Sequence, residues 1–547
     1  MEKNMFCFQC EQTAGCNGCT GKRGVCGKTA DVAKAQDELT GALIGLAKTC
    51  GNNPKTADTD RVIIEGLFTT LTNVSFNEET IRVMIERVEE EKNRIAPGCG
   101  TCVAKCGNTD NYDMEQIWNA DEDIRSLKSL LLFGIRGVAA YAYHAMVLGY
   151  QSEEVNFFLY KALATLSMDL GMEELLPVVL ETGKVNLTCM ELLDRANTET
   201  YGIPKPTEVS LKVEKGPFIV ISGHDLLDLK LLLEQTQGKG INVYTHGEML
   251  PSHGYEGLKK YPHLVGNFGG AWQDQQKQFD GIPGCILMTT NCLMRPRESY
   301  KDRIYSTNVV GWEGVKYIPK KPDGTKDFSE IIRHSLELGG FTQDVEPHEI
   351  LVGFGHHATL SYADKIVQAV ESGKLRHFFL IGGCDGARPG RNYYTDFAQL
   401  VPKDCMILTL ACGKYRFNKM DFGEVAGLPR LLDIGQCNDV YSAIRIATAL
   451  ADAFNTDVNG LPLSLIISWY EQKAVADLLA LLSLGIRNIY LGPELPAFLS
   501  PNVLQYLVDT FHLRKITNPE DDIKTCLKQM LMYGREAQDM DSQPCHY

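Results

Sequence analysis

Four cysteines near the start of the chain, Cys7, Cys10, Cys19 and Cys26, supply a close pair of thiols followed by two separated ones, with Cys16 as a fifth candidate. Four soft thiolates complete the tetrahedra of cluster irons, and a close pair lets one turn hold two corners. Structural zinc is the alternative. It usually takes two close pairs or a histidine partner, whereas six residues lie between Cys19 and Cys26. The motif therefore favours a four-iron cluster, with spacing alone leaving Cys16 open as a ligand. Gly15, Gly18, Gly21, Gly24 and Gly27 make this segment a loop able to wrap a compact inorganic object.

A second set is chemically mixed. His224, Glu248, Cys292, Cys384, Cys412, Cys437 and Glu471 each follow an apolar, strand-like run: FIVISGHD, INVYTHGE, CILMTTNC, HFFLIGGCDG, CMILTLACGK, RLLDIGQCND and LSLIISWYEQ. One cysteine after a strand is more often a small buried apolar residue. Seven chemistry-bearing residues in the same position point to a shared site, because open parallel sheets gather functional groups outside the carboxyl ends of their strands. Soft sulfur favours iron-sulfide units, while carboxylate and imidazole favour harder, oxygen-bridged or under-coordinated iron. The set implies a cluster with distinct ends and a labile position for substrate.

The elements that must position these groups fall into three regions. Residues 31 to about 200 place apolar residues at spacings of three and four, as in TADVAKAQDELTGALIGLAKTC and SLKSLLLFGIRGVAAYAYHAMVLGY, the pattern of helix-bundle cores. Near Ile203 the stretch PKPTEVSLKVEKGP suits a linker. Short apolar strands then alternate with helical segments, ILVGFGHH from Ile350 among them. The expected architecture is a cysteine-bearing helical-bundle domain (1–205) followed by two α/β domains (206–356 and 357–547) with mostly parallel, Rossmann-like sheets, the last carrying most mixed-site donors. No exact internal repeat is present, but the recurrent strand-then-reactive-residue pattern hints at two related units.

Hydrophobic residues make up 44% and charged residues 22% of the 547, the balance of a folded chain. A net charge of −15 gives no electrostatic reason to approach nucleic acid or an anionic membrane. The sequence has no run of eighteen uncharged apolar residues and no signal-peptide core, so a cytoplasmic location is expected. In such a compartment 18 cysteines read as metal ligands rather than as a disulfide framework. No G-x-G-x-x-G follows a strand, so no nicotinamide or flavin site is expected.

Cys99, Cys102 and Cys106 supply three thiols without an obvious fourth, and read as a thiol-bearing connection between helices. His246, His253, His356 and His357 are candidates for hydrogen-bonding or proton-moving roles rather than ligands.

The segments MFCFQCEQTAGCNGCTGKRGVCGK, SGHDLLDL, GINVYTHGEMLPSHGY, GNFGGAWQ, MTTNC, FFLIGGCDGA, LACGKYRFN, GQCNDVYSA and SWYEQKA closely resemble the hybrid-cluster proteins, also called prismane proteins or hydroxylamine reductases. The resemblance implies that Cys7, Cys10, Cys19 and Cys26 hold a [4Fe-4S] cluster, the eight-residue gap between Cys10 and Cys19 matching members with that cluster, and that Cys16 is an extra. It implies that His224, Glu248, Cys292, Cys384, Cys412, Cys437 and Glu471 hold a hybrid [4Fe-2O-2S] cluster, with Cys384 matching a persulfide ligand and Lys473 a lysine beside the cluster.

The implied reaction is reduction of hydroxylamine to ammonia and water. The alternatives are reduction of nitric oxide to nitrous oxide, or a nitrosative-stress sensor working through sulfur or nitrosyl exchange at Cys384. Glu471, Glu248, His224 and Lys473 are the candidate proton donors, with roles unassigned. Partners would be a small nitrogen-oxide substrate and a redox electron donor; neither the donor's identity nor the oligomeric state follows from the resemblance. Carbon monoxide dehydrogenases share distant architecture with this family, but Glu248 and Glu471 suit an oxygen-containing cluster better than an all-sulfide nickel-iron one.

Overall fold

The computed structural model describes residues 4–51, 55–96, 109–345 and 348–528. Cys99, Cys102 and Cys106 lie outside the described residues.

Among the described residues seven helices follow the cysteine-rich loop: α1 (Ala30–Cys50), α2 (Ala57–Thr69), α3 (Glu78–Ile95), the short α4 (Glu115–Trp118), α5 (Glu122–Val147), α6 (Glu153–Leu166) and α7 (Met172–Tyr201). Their starts are fixed locally: Thr29, Asn77, Asp121 and Ser152 each accept a hydrogen bond from a first-turn N–H through their side chain. Their apolar stripes, such as Leu39, Leu43 and Leu46 of α1, are fully buried. Helix α5 is long and apolar enough to cross a membrane by length and composition, but 94% of its most apolar window is buried inside the protein, as a core helix would be.

The expected linker after α7 instead contains β1 (Thr207–Ser210). Two six-stranded sheets follow. The first is built from β2 (Phe218–Ser222), β3 (Asn242–His246), β4 (Leu264–Asn267), β5 (Cys285–Met288), β6 (Ile304–Thr307) and β7 (Lys316–Ile318) in the order β4-β3-β2-β5-β6-β7, every pair parallel. Helices α8 (Leu226–Thr236), α9 (Glu256–Lys259), α10 (Gln275–Gln278) and α11 (Ser329–Leu338) lie between or after its strands. Strand β8 (Glu349–Val352), expected to extend this sheet, pairs antiparallel with β1 instead, Thr207 opposite Val352 and Ser210 opposite Glu349.

Beyond α12 (His356–Leu360) and α13 (Ala363–Glu371), the second sheet begins with β9 (His377–Gly383), followed by α14 (Asn392–Leu400) and β10 (Cys405–Leu410). A small hairpin, β11 (Glu424–Val425) and β12 (Leu428–Pro429), precedes β13 (Leu431–Gly435), α15 (Val440–Ala453), β14 (Leu463–Ser468), α16 (Gln472–Ser483), β15 (Ile489–Gly492), α17 (Pro501–Phe511) and β16 (Arg514–Lys515). The order is β13-β10-β9-β14-β15-β16, again all parallel. In both sheets the first strand is central, two strands extend one side and three the other. The two units suggested by the recurrent pattern are therefore topologically equivalent doubly wound folds.

Helix α16 belongs by sequence to the second sheet but packs into the helical region, and glycine permits it. A Cβ on Gly183 of α7 would lie 2.0 Å from the Leu479 carbonyl oxygen, and one on Gly137 of α5 would lie 2.6 Å from that of Gln472. The missing side chains let three helix backbones approach closely. This seats the start of α16, which carries Lys473, against the helical region.

Candidate active site

The four N-terminal thiols lie on a loop closed by a two-residue ladder. Cys7 N–H donates to Cys19 O at 3.1 Å and Cys19 N–H to Cys7 O at 2.8 Å, which sets two of the cysteines side by side. Burial raises the Cys10 thiol well above its ordinary range, and the neighbouring Cys26 and Cys7 add to the shift. Burial also raises Cys26, opposed by Lys28. The Lys28 ammonium stands 3.9 Å from Cys7 Sγ. Cys16, at φ +57°, accepts a hydrogen bond from Arg388 Nη2 on its thiol at 3.0 Å.

All seven residues of the mixed set follow strand ends and line one cavity. His224 and Glu248 come off β2 and β3, Cys292 off β5, Cys384 and Cys412 off β9 and β10, Cys437 off β13 and Glu471 off β14. The carboxyl ends of the two sheets thus face each other across the cavity. Each topological switch point, between β2 and β5 and between β9 and β14, delivers two of the donors to the cavity: His224 and Cys292 at the first, Cys384 and Glu471 at the second. His224 Nε2 is 3.8 Å from Glu248 Oε2, and Cys384 Sγ is 3.9 Å from Glu471 Oε1. Ligand atoms of His224, Glu248 and Cys437 lie within 4.8 Å of one another, all three residues buried.

The donors are held from behind. Thr290 Oγ1 is 3.0 Å from His224 Nδ1, leaving Nε2 as the ring's other nitrogen, which the Lys473 ammonium approaches at 2.9 Å. Glu248 Oε2 accepts from the Cys437 N–H at 2.9 Å, and Gln436 Nε2 donates to the Glu248 carbonyl at 2.6 Å. Glu471 Oε2 accepts from the Lys473 N–H at 2.8 Å as the cap of α16, which turns Oε1 towards Cys384. Arg391 fixes the Cys384 turn, donating to the Cys384 carbonyl at 3.2 Å and the Ser468 hydroxyl at 2.6 Å.

Burial dominates the electrostatics. It raises the thiols of Cys292, Cys384, Cys412 and Cys437 and the carboxyls of Glu248 and Glu471, against the opposing pull of Lys473 on both carboxyls. It lowers the His224 imidazole, which Lys473 lowers further. Burial alone would also lower Lys473, but Cys437, Glu471, Cys292 and Cys384 around it hold the ammonium above its ordinary range. Among the described residues no hydrogen bond reaches the buried Glu248 Oε1, and the Cys412 thiol is the side chain that pulls on this carboxyl from within the set. A dry chamber of acidic donors suits metal cations, which would take the place of the protons. The donor chemistry of both sets therefore fits iron-sulfur clusters.

Lys473 lies where the sequence placed it, beside the donors. His246 bonds Ser222 and Gln278, and His253 bonds Thr245, so both are structural partners behind the site. His356 and His357 lie away from it on α12. Sequence reasoning missed Asn291, whose amide bridges Glu471 Oε1 at 3.5 Å and the Lys473 ammonium at 3.2 Å. It also missed the contact between the two donor sets: Cys10, Trp272, Tyr470 and Cys412 share one buried cluster, with the Trp272 and Tyr470 rings 4.5 Å apart. Gln472 Nε2 donates to the Gln9 carbonyl at 2.7 Å across the same seam. Separately, an apolar cavity between the second sheet and helices α15 and α16, lined by Leu380, Leu410, Ile444 and Leu481, reaches Cys384 and Cys437.

Residues 5–524 match the model of the Prismane/CO dehydrogenase family. A hydroxylamine reductase of Thermodesulfovibrio yellowstonii is 52% identical over 548 residues, covering 96% of this chain and 100% of the relative. One from Syntrophobacter fumaroxidans is 50% identical over 547 residues with the same coverage. Among solved structures, a nickel-free carbon monoxide dehydrogenase from Thermococcus sp. AM4 superposes with a TM-score of 0.58 at 16% identity, covering 98% of this chain and 92% of that one. At that identity the likeness concerns the fold alone.

Proposed function

The chain belongs to the prismane/carbon monoxide dehydrogenase family, and from that premise we propose that its two donor sets hold the [4Fe-4S] and hybrid [4Fe-2O-2S] clusters of an iron-sulfur oxidoreductase. The reaction is reduction of hydroxylamine to ammonia and water, taking up two electrons and two protons, in common with relatives of that name at about half identity. Its partners are a small nitrogen substrate and a redox donor. We place the protein in the cytoplasm and keep the division at 1–205, 206–356 and 357–547.

Cys7, Cys10, Cys19 and Cys26 are the ligands assigned to the first cluster. His224, Glu248, Cys292, Cys384, Cys412, Cys437 and Glu471 are assigned to the hybrid cluster, with Cys384 as the persulfide. One observation carries this reading: four thiols, an imidazole and two carboxylates from two opposed sheets line one cavity. When bound, such a cluster supplies electrons and an open iron position that polarises the N–O bond.

The chain's own residues manage the protons. The Lys473 ammonium, 2.9 Å from His224 Nε2 and 3.8 Å from Glu471 Oε1, is the donor that is not itself a ligand. The Trp272 and Tyr470 rings exclude water from the wall facing Cys10. Iron and sulfide analysis of anaerobically purified protein should give about eight irons per chain if each cluster holds four, with two paramagnetic resonance signals and hydroxylamine turnover from a reduced dye. Stoichiometric zinc with little iron would overturn the assignment.

A second reading is favoured by the apolar cavity that reaches Cys384 and Cys437. Such a cavity stays dry and accepts small uncharged molecules, which suits nitric oxide, two molecules of which would give nitrous oxide and water with two electrons and two protons. Comparing hydroxylamine and nitric oxide under one anaerobic electron supply separates the two. Narrowing the cavity with Ala443→Leu should slow only the nitric oxide reaction.

A further inference from the structure

We infer that Asp194, His356 and His357 form a separate site for a divalent transition ion of the zinc class, joining the helical region to the connection between the two α/β units. The three residues come from segments about 160 positions apart, Asp194 from α7 and the two histidines from the first turn of α12. One donor atom from each lies within 4.8 Å of the others. Small side-chain movements bring atoms so placed onto one ion at bonding lengths of about 2.0–2.2 Å. Two imidazoles and a carboxylate are borderline donors that suit zinc, with the fourth position left to solvent.

The details suit ligands better than a packed polar cluster. The Asp194 carboxylate is mostly buried, yet its one polar contact among the described residues is His356 Nδ1, 3.9 Å away and too far for a hydrogen bond. The His356 and His357 rings lie 4.1 Å apart at 36°, close enough for one nitrogen of each to reach a shared ion. Ser442 Oγ stands 3.0 Å from His356 Nδ1 and orients the ring, a bond that an ion held through Nε2 would leave in place, as with outer oxygen partners of metal-binding imidazoles. His357 is exposed, which gives an ion a way in from solvent. Among the described residues Arg445 is the cation whose charge reaches Asp194 and His356; it donates to the Tyr441 hydroxyl at 2.8 Å, and Glu191 opposes it at Asp194.

Position gives the site its consequence. Ser442 lies on α15, the helix that starts three residues after Cys437. An ion at this site would therefore tie α7, α12 and, through Ser442, α15 together.

The test uses full-length, cluster-loaded protein titrated anaerobically with Zn²⁺ alone. Bound zinc is counted after gel filtration, and the iron-sulfur spectra are followed to confirm that no iron is displaced. Wild type should retain one zinc per chain and unfold at a higher temperature with it. His357→Ala, an exposed position that leaves folding intact, and Asp194→Asn should each weaken binding by more than about tenfold with iron content unchanged. Failure of wild type to retain zinc would overturn the site. So would equal retention by wild type and both variants, which would place the zinc on free thiols. Both results are independent of hydroxylamine turnover.

Discussion

The Lys473 ammonium lies 2.9 Å from His224 Nε2, joining α16 of the second sheet to the loop after β2 of the first. Burial keeps the imidazole neutral and the surrounding acidic groups keep the lysine charged, so the lysine is the proton donor in this contact; an iron held by His224 would take that lone pair and free the ammonium for substrate. Its ammonium also reaches the Asn291 carbonyl oxygen at 3.2 Å. One side chain thus touches donors from both sheets.

Lys473→Met should leave iron content and both cluster signals close to wild type while lowering hydroxylamine turnover by about a hundredfold or more, the range for loss of a positioned proton donor. The bond that caps α16 comes from the Lys473 backbone N–H and survives the substitution. Steady-state rates beside iron analysis provide the check, and unchanged turnover would remove Lys473 from proton delivery.

Glu471→Gln should abolish most turnover and alter the hybrid-cluster signal alone. The amide keeps the volume and an oxygen that accepts the cap bond, but removes the anionic oxygen 3.9 Å from Cys384 Sγ. The N-terminal loop touches this region through the backbone bond from Glu11 N to Tyr470 O, which the change leaves in place. Paramagnetic resonance of the variant should show one normal and one altered signal. A surface glutamate would instead give wild-type turnover with stability changed within about 0.5 kcal/mol.

The strand-end positions of all seven donors were legible because central parallel strands are buried on both faces and read as short continuous apolar runs. What such runs conceal is partnership. The ILV of β8 looks like any other buried strand, yet pairs with β1, and β1 is hidden because the prolines and lysines around TEVS mark a linker. Asn291 was invisible for a different reason: it precedes Cys292 and its importance lies in bridging Lys473 and Glu471, some 180 residues later. The same holds for Gly183, an ordinary helix glycine in sequence whose role appears only once α16 is laid across it.

Gly183→Ala should destabilise the protein by about 1–3 kcal/mol or more, although alanine favours an isolated helix by about 1 kcal/mol. The added methyl would stand 2.0 Å from the Leu479 carbonyl oxygen, a backbone atom that cannot rotate aside. Gly134→Ala is the comparison, since its nearest obstacles are side-chain carbons of Thr182 and Leu479 at 2.8 and 3.0 Å. Thermal unfolding should rank Gly183→Ala well below Gly134→Ala. The displaced α16 should also disturb the hybrid-cluster signal through Glu471 and Lys473.

Acid should destabilise the fold through its buried neutral histidines, and His377 is the clearest case. It lies at the start of β9, bonded to Ser464 Oγ at 2.9 Å, and burial, aided by Arg376, lowers it from 6.5 to about 3. The unfolded chain therefore binds a proton there between pH 6.5 and about 3 that the folded chain refuses. The stabilising contribution is fully present above pH 6.5 and is lost as the pH falls below it. His253, lowered by burial to about 4, acts in the same direction. Asp37 acts in the opposite one: burial raises it to about 6, so its contribution is lost as the pH rises from 3.8 towards 6 and offsets part of the histidine effect. The single-site difference isolates the sign. His377→Asn, which retains a hydrogen-bonding group towards Ser464, should cost stability at pH 7 yet show a stability-against-pH slope between pH 6.5 and 4.5 that is shallower than wild type by about 1 kcal/mol per pH unit. Urea unfolding followed by circular dichroism at several pH values measures that slope, and parallel wild-type and variant curves would show that His377 titrates as freely in the folded protein as in the unfolded one.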